Sequence, residues 1–120
     1  MEFDQIQERA REIGRLLSRS AEYQAVKRAN QQLGEDRDAA SLMNRLADLE
    51  DQITSYLRAG REPSEEVQRE YAGIAEQIQQ RPTYQAVVSA QSNFERLMAR
   101  IHDEIARGIE AGEQSRIILP

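Results

Sequence analysis

Apolar residues recur every three or four positions along most of this chain, the period of an amphipathic α-helix. Phe3, Ile6, Ala10, Ile13, Leu16 and Leu17 fall on one face of a helix predicted over about residues 3–18. Gly14 lies inside it, one step from the stripe. An interior glycine costs about 1 kcal/mol against alanine, so close approach of another helix is expected there. Ser18 to Ser20 marks a junction, with Ser20 as N-cap and Glu22 suited to the positive end of the next helix dipole. Tyr23, Val26, Ala29 and Leu33 continue an apolar edge. Gly34 either ends this helix, with Asp36 as a new N-cap, or kinks one longer helix.

From Asp36 to about Ala59 the stripe is Ala39, Leu42, Met43, Leu46, Leu49, Ile53, Tyr56 and Leu57, long enough to approach coiled-coil packing. Gly60 ends it, and Gly60-Arg61-Glu62-Pro63 reads as a loop. Ser64 caps the next helix, whose stripe is Val67, Tyr71, Ile74 and Ile78. Pro82 disfavours helical geometry at Arg81, and Thr83 is the predicted cap of a last helix from about Tyr84 to Ile109. Its stripe includes Tyr84, Val87, Val88, Phe94, Leu97, Met98, Ile101, Ile105 and Ile109, with Gly108 and Gly112 as its end. No strand pattern competes. The fold class is therefore all-α: an antiparallel bundle of four to five helices, two of them long. It makes a single helical domain over 1–112 and an apolar tail over 113–120.

Part of the pattern occurs twice. Tyr23-Gln24-Ala25-Val26 recurs as Tyr84-Gln85-Ala86-Val87, each just after a junction. Ile13 and Leu17 precede the first copy as Ile74 and Ile78 precede the second, and Ala29 matches Ala90. A duplicated helix–turn–helix unit is expected. Tyr23 and Tyr84 pack at the core edge, or else mark symmetric contact points.

Composition changes the picture in two ways. Strong core formers are few: nine Leu, ten Ile, four Val and two Phe in 120 residues. So thin a core gains from a partner, and a homodimer is expected. Net charge is −5, which gives no general attraction to nucleic acid. Arg9, Arg11, Arg15 and Arg19 line part of the first helix; they read as a solvated face paired with Glu8 and Glu12, with contact to RNA as the alternative. The tail, Arg116-Ile117-Ile118-Leu119-Pro120, either packs on its own subunit or docks on a second subunit or partner. The candidate interaction residues are Tyr23, Tyr84, Phe94 and Met98 on the stripes and Ile117, Ile118 and Leu119 in the tail.

Candidate chemistry is sparse. There is no cysteine, which excludes disulfides, thiolate catalysis and Cys-ligated clusters within the chain. The one histidine, His102, has Met98, Ala99, Ile105 and Ala106 one turn away, so no helical metal pair forms around it. Adjacent carboxylates such as Glu65-Glu66 point in different directions and sit mostly at helix starts, where the dipole favours them. No phosphate-binding loop or nucleophile elbow is present. A non-enzymatic protein without cofactor or metal is expected. The N-terminus lacks a signal-peptide pattern and no apolar run approaches membrane-spanning length, so a soluble cytoplasmic protein is expected.

The order of these pieces resembles the YlbF/YmcA family of small helical bacterial proteins. The resemblance rests on Ser20-Ala21-Glu22-Tyr23 with Ala29, and on Asp36-Arg37-Asp38-Ala39-Ala40-Ser41-Leu42-Met43. It continues in the Gly60–Pro63 link and in Ala90, Phe94, Leu97 and Met98 after the second junction. It implies a helical, dimeric interaction protein without a catalytic site, acting in competence, sporulation and biofilm decisions. It also implies related family members and an mRNA-decay endonuclease, RNase Y, as partners. Some members contribute cysteines to iron–sulfur clusters; with none here, that role is not carried over. The resemblance further implies Asn-Pro at the second junction, where this chain has Arg81-Pro82.

Overall fold

The computed structural model describes residues 2–118, and side chains through residue 114. It contains five helices: α1 (Glu2–Ser18), α2 (Ala21–Glu35), α3 (Arg37–Arg58), α4 (Glu65–Gln80) and α5 (Pro82–Ile118). No strand occurs among the described residues.

The helix ends follow from local chemistry. The Ser20 hydroxyl accepts from the Tyr23 N–H at 3.1 Å and donates to the Leu17 carbonyl at 2.7 Å, pinning the α1–α2 junction from both sides. Ser64 caps α4 by accepting from the Val67 N–H at 3.2 Å. Gly60 has φ +71° and closes α3: its N–H donates to Leu57, and the Arg61 N–H donates to Tyr56. This paired pattern needs a residue that tolerates the left-handed region, which glycine does without steric cost.

The structure settles one boundary of the sequence reading and moves two others. The choice at Gly34 falls to a break rather than a kink, one residue later than the glycine: α2 runs to Glu35, and Asp36 is the new N-cap. Asp36 is extended (φ −80°, ψ 99°) and serves both helices, donating its N–H to Leu33 and accepting from the Ala39 N–H at 3.1 Å. Thr83 is not the cap of α5. Arg81 takes the extended position (φ −69°, ψ 125°) that a following proline enforces, and Pro82 opens the helix. Finally, α5 passes Gly108 and Gly112 and reaches Ile118. Neither glycine adopts positive φ, and Glu110, Ala111 and Glu113 around them are good helix formers.

α2 lies antiparallel on the first half of α5 and forms the broadest helix pair, and α3 folds back on α4 as a hairpin. Small residues let α2 and α5 approach: Ala29, Val87 and Ala90 are buried, with Ala25, Val26, Leu33 and Ala86 packed around them. In the hairpin region Leu49 and Ala39 are fully buried and Ile78 nearly so. Arg45 on α3 donates to Glu70 on α4 at 2.6 Å across the hairpin.

The duplication is real in three dimensions. Ser20 N–H donates to Leu17 as Arg81 N–H donates to Ile78. Gln24 N–H donates to Ser20 as Gln85 N–H donates to Arg81. The repeated glutamine explains itself: the Gln24 side-chain amide donates to the Ser18 carbonyl at 2.8 Å, and Gln85 does the same to Gln79 at 3.1 Å. Each satisfies a carbonyl left open at the end of the preceding helix.

The units differ in cover. α4 is roofed by α3, whereas α1 touches α2 only near their junction and buries no residue. Gly14 on α1 has nothing within 4 Å of where a Cβ would stand, so the expected close neighbour is absent within the protomer. The molecule is drawn out to 72 × 36 × 23 Å.

Candidate protein-interaction surface

A broad open feature lies between α1 and the second half of α5. Leu16 and Phe3 are about two-thirds exposed (68% and 70%), as are Ile6 and Ile109 (63% and 61%). Single exposed apolar residues are ordinary, but contiguous ridges of them mark interaction surfaces. Here two ridges face one another. A groove of about 710 Å³ runs between Ile6, Ala10 and Ile13 of α1 and Ile105 of α5, edged by Glu8, Arg9 and Glu12. A second hollow of about 480 Å³ continues past Ile13 and Ile105 to Leu97 and Ile101. The two helices line this space without packing into a helix pair.

Charged residues edge the groove and carry no proton-transfer arrangement. Arg9 pairs with Glu12 at 3.3 Å and Arg107 with Glu104 at 3.0 Å, all well exposed. Pairs of this kind contribute little to stability.

The strongest electrostatic cluster lies elsewhere, where the two inter-helix junctions meet. One Arg81 Nη donates to both Asp36 oxygens at 2.7 Å, and the Thr83 hydroxyl donates to Asp36 at 2.6 Å. These bonds, with the Ala39 N–H, hold the Asp36 carboxyl well below the usual carboxylate range. Arg81 is raised by the same bond. A carboxylate locked in its charged form is a poor acid or base near neutral pH. Its geometry is that of a clamp, tying the α2–α3 turn to the α4–α5 turn. In the same way the bond from Arg45 lowers Glu70.

The sequence-derived candidates divide. Tyr23 meets Phe94 inside the protomer, ring centroids 5.8 Å apart and tilted by 55°. Tyr84 and Met98 are half-buried. Ile117 and Ile118 fall on the last turn of α5, but their side chains, and Leu119 altogether, lie outside the described residues. His102 is exposed on α5. Among the described residues no group of three or more His, Asp or Glu side chains is placed to hold a metal ion. No described helix is long and apolar enough to cross a membrane.

Two features escaped the sequence reading. The ridge residues Phe3, Ile6, Leu16, Ile105 and Ile109 were legible as stripes, but their stripes carry no mark of being uncovered. The Asp36–Arg81–Thr83 clamp joins residues 45 and 47 positions apart, and no local pattern announces it.

No curated protein and no solved structure matches the chain. A family model described as control of the competence regulator ComK, YlbF/YmcA, matches residues 6–110, nearly the whole helical body. The chain belongs to the YlbF/YmcA family, a family of regulators.

Proposed function

We propose that this protein is a non-enzymatic helical regulator that works by holding other protein chains, in the control of competence and related bacterial development. The observation that carries the reading is the pair of bare apolar ridges on α1 and distal α5. Exposed apolar surface of this kind is costly in water unless a partner covers it. The family's description, control of the competence regulator ComK, supports the regulatory part. Related family members and an RNA-decay nuclease are the partners we infer from the resemblance, and an effect on mRNA decay would run through them.

The test is complementation. In a strain lacking the protein, the wild-type chain restores ComK-dependent transcription. Leu16→Glu and Ile109→Glu, both at exposed positions and therefore folded, restore it poorly at equal protein level. Full restoration by both variants would remove the apolar surface from the function.

A second reading has one observation behind it. Arg11 and Arg15 on α1, with Arg19 just past its end, are exposed to solvent and could meet RNA phosphates. Salt-dependent RNA binding lost in Arg11→Glu/Arg15→Glu would favour it. The net charge of −5 weighs against it.

A further inference from the structure

Three observations on the bare half of the molecule point to one movement. The first is register. Three cross-pairs tie the N-terminal helices to the C-terminal ones: Arg45 to Glu70, Asp36 to Arg81 and Tyr23 to Phe94. From the second pair to the third, the chain moves 13 residues back on one side and 13 forward on the other. Ten residues further back stands Ile13, and eleven further forward stands Ile105; these two line the same pair of hollows. α1 therefore faces distal α5 in the register by which α2 already packs on proximal α5. Yet α2 and α5 form a helix pair, and α1 and α5 do not.

The second is the face. On α5, Val87 and Ala90 are buried beside α2, and Phe94 meets Tyr23. After Phe94 come Ile101, Ile105, Gly108 and Gly112, at steps of seven, four, three and four residues. They lie on the same side of the helix. The continued register sets Ala10 opposite Gly108 and Ile6 opposite Gly112. Both glycines have open space where a Cβ would stand. This side of α5 is thus presented to α1 of its own chain, with room for close approach.

The third is the pivot. The Asp36 and Arg81 junctions are bonded to each other across the molecule at 2.7 Å. At the Ser20 junction the bonds run within residues 15–24, among the described residues. α1 meets α2 only near that junction and buries no residue. Two residues, Arg19 and Ser20, link the helices. A change in their dihedrals swings the whole of α1.

We propose that α1 is a hinged arm that closes on distal α5 of its own chain, pivoting at Arg19 and Ser20, with Ile6, Ala10 and Ile13 seated against Gly112, Gly108 and Ile105. The open form shows both apolar ridges to water, and the closed form hides their inner faces. The proposal rests on the protein-holding function above and names its regulation. A protein that takes the α1 ridge binds the open form alone, so its apparent affinity falls with the fraction of chains that are open.

The test is a disulfide trap, made clean by the absence of native cysteine. In the closed form, the Cα atoms of Ala10→Cys/Gly108→Cys and of Ile6→Cys/Gly112→Cys come within disulfide reach, about 4.4–6.8 Å. All four positions are exposed, so the substitutions leave the helices in place. Ala10→Cys/Ala106→Cys puts the second thiol on the far side of α5 and is the control. Diamide takes the two hydrogens as the disulfide forms. Intact mass then shows a single-chain product lighter by two hydrogens for both register pairs, and little for the control. Binding of ANS, a dye for exposed apolar surface, falls in that product and returns when dithiothreitol reduces it. A product of dimer mass in place of the single-chain one overturns the proposal. Equal crosslinking of the control, no crosslinking at either register pair, or dye binding unchanged by the crosslink overturns it as well. Each of these results leaves the regulator reading standing, since that is decided by complementation with the cysteine-free chain.

Discussion

The two copies of the repeated unit share a junction and differ in what lies over them. In the second copy, α4 runs under α3, and Ile78 is buried with Leu49 and Ala39. In the first copy, the matching Leu17 is half-buried and α1 has no roof. The cause is a difference one element downstream. After α2 the chain turns at Asp36 and sends α3 back; at the corresponding point α5 continues straight for some twenty residues more. The segment that follows the first unit, α3, covers the second unit's α4, whereas the segment that follows the second, distal α5, does not pack on α1 as a helix pair in return. Duplication alone therefore does not give symmetric burial, since burial depends on where the next helix goes.

Substitutions can break this comparison or sharpen it. The largest expected effect is at the roofed half. Leu49→Ala should lose about 2–5 kcal/mol of unfolding free energy, whereas Leu16→Ala, at an exposed position, should lose less than about 0.5 kcal/mol. Urea denaturation measures both; equal losses would mean that α1 is covered within the protomer after all. Next comes the α2–α5 contact. Ala29→Leu or Ala90→Leu should each cost about 1–3 kcal/mol by overpacking, and similar values for the two would confirm that the repeats meet as equivalents.

The junction clamp is third. Asp36→Ala removes the cap of α3 together with the Arg81 pair and should lower Tm by ~5–10 °C. Asp36→Asn can keep the cap and should lower it less. The pH sign follows from the lowered folded value of this carboxyl. Its contribution is complete above about pH 4, the unfolded range, and fades as pH falls through the folded value. Thermal melts of wild type should therefore weaken steadily below about pH 4, and Asp36→Asn should flatten part of that limb. An unchanged acid limb would mean that the clamp adds no stability.

The smallest effect is the most direct comparison of the two units. Gln24→Ala and Gln85→Ala each remove one side-chain bond to the preceding helix end. Each should cost about 0.5–1 kcal/mol, and by nearly the same amount. A large difference would show that the junctions are alike in form but not in energy.

The legibility of the fold varied with the range of the interaction. Ser20, Gly60 and Ser64 were readable because a cap or a left-handed turn depends on residues within one helical turn. Gly108 and Gly112 misled as helix ends. A glycine in a helix costs too little to stop it when flanking residues favour continuation and no capping side chain intervenes. Thr83 misled for another reason: its hydroxyl found Asp36, far away in sequence. The candidate surface was half visible. The stripes of α1 and α5 and the scarcity of core formers were legible, but the sequence pattern places an apolar residue on a face without saying what that face meets.

The sequence by itself determined the all-helical class, most helix ends, the duplicated junction and the absence of cysteine chemistry. Each of these depends on neighbours a few residues apart or on composition. Only the tertiary structure decided that α3 roofs α4, that Asp36, Arg81 and Thr83 converge, and that α1 and distal α5 remain bare. Those outcomes are set by the direction each helix takes after its turn, and that direction fixes which apolar stripes are hidden from water and which stay exposed.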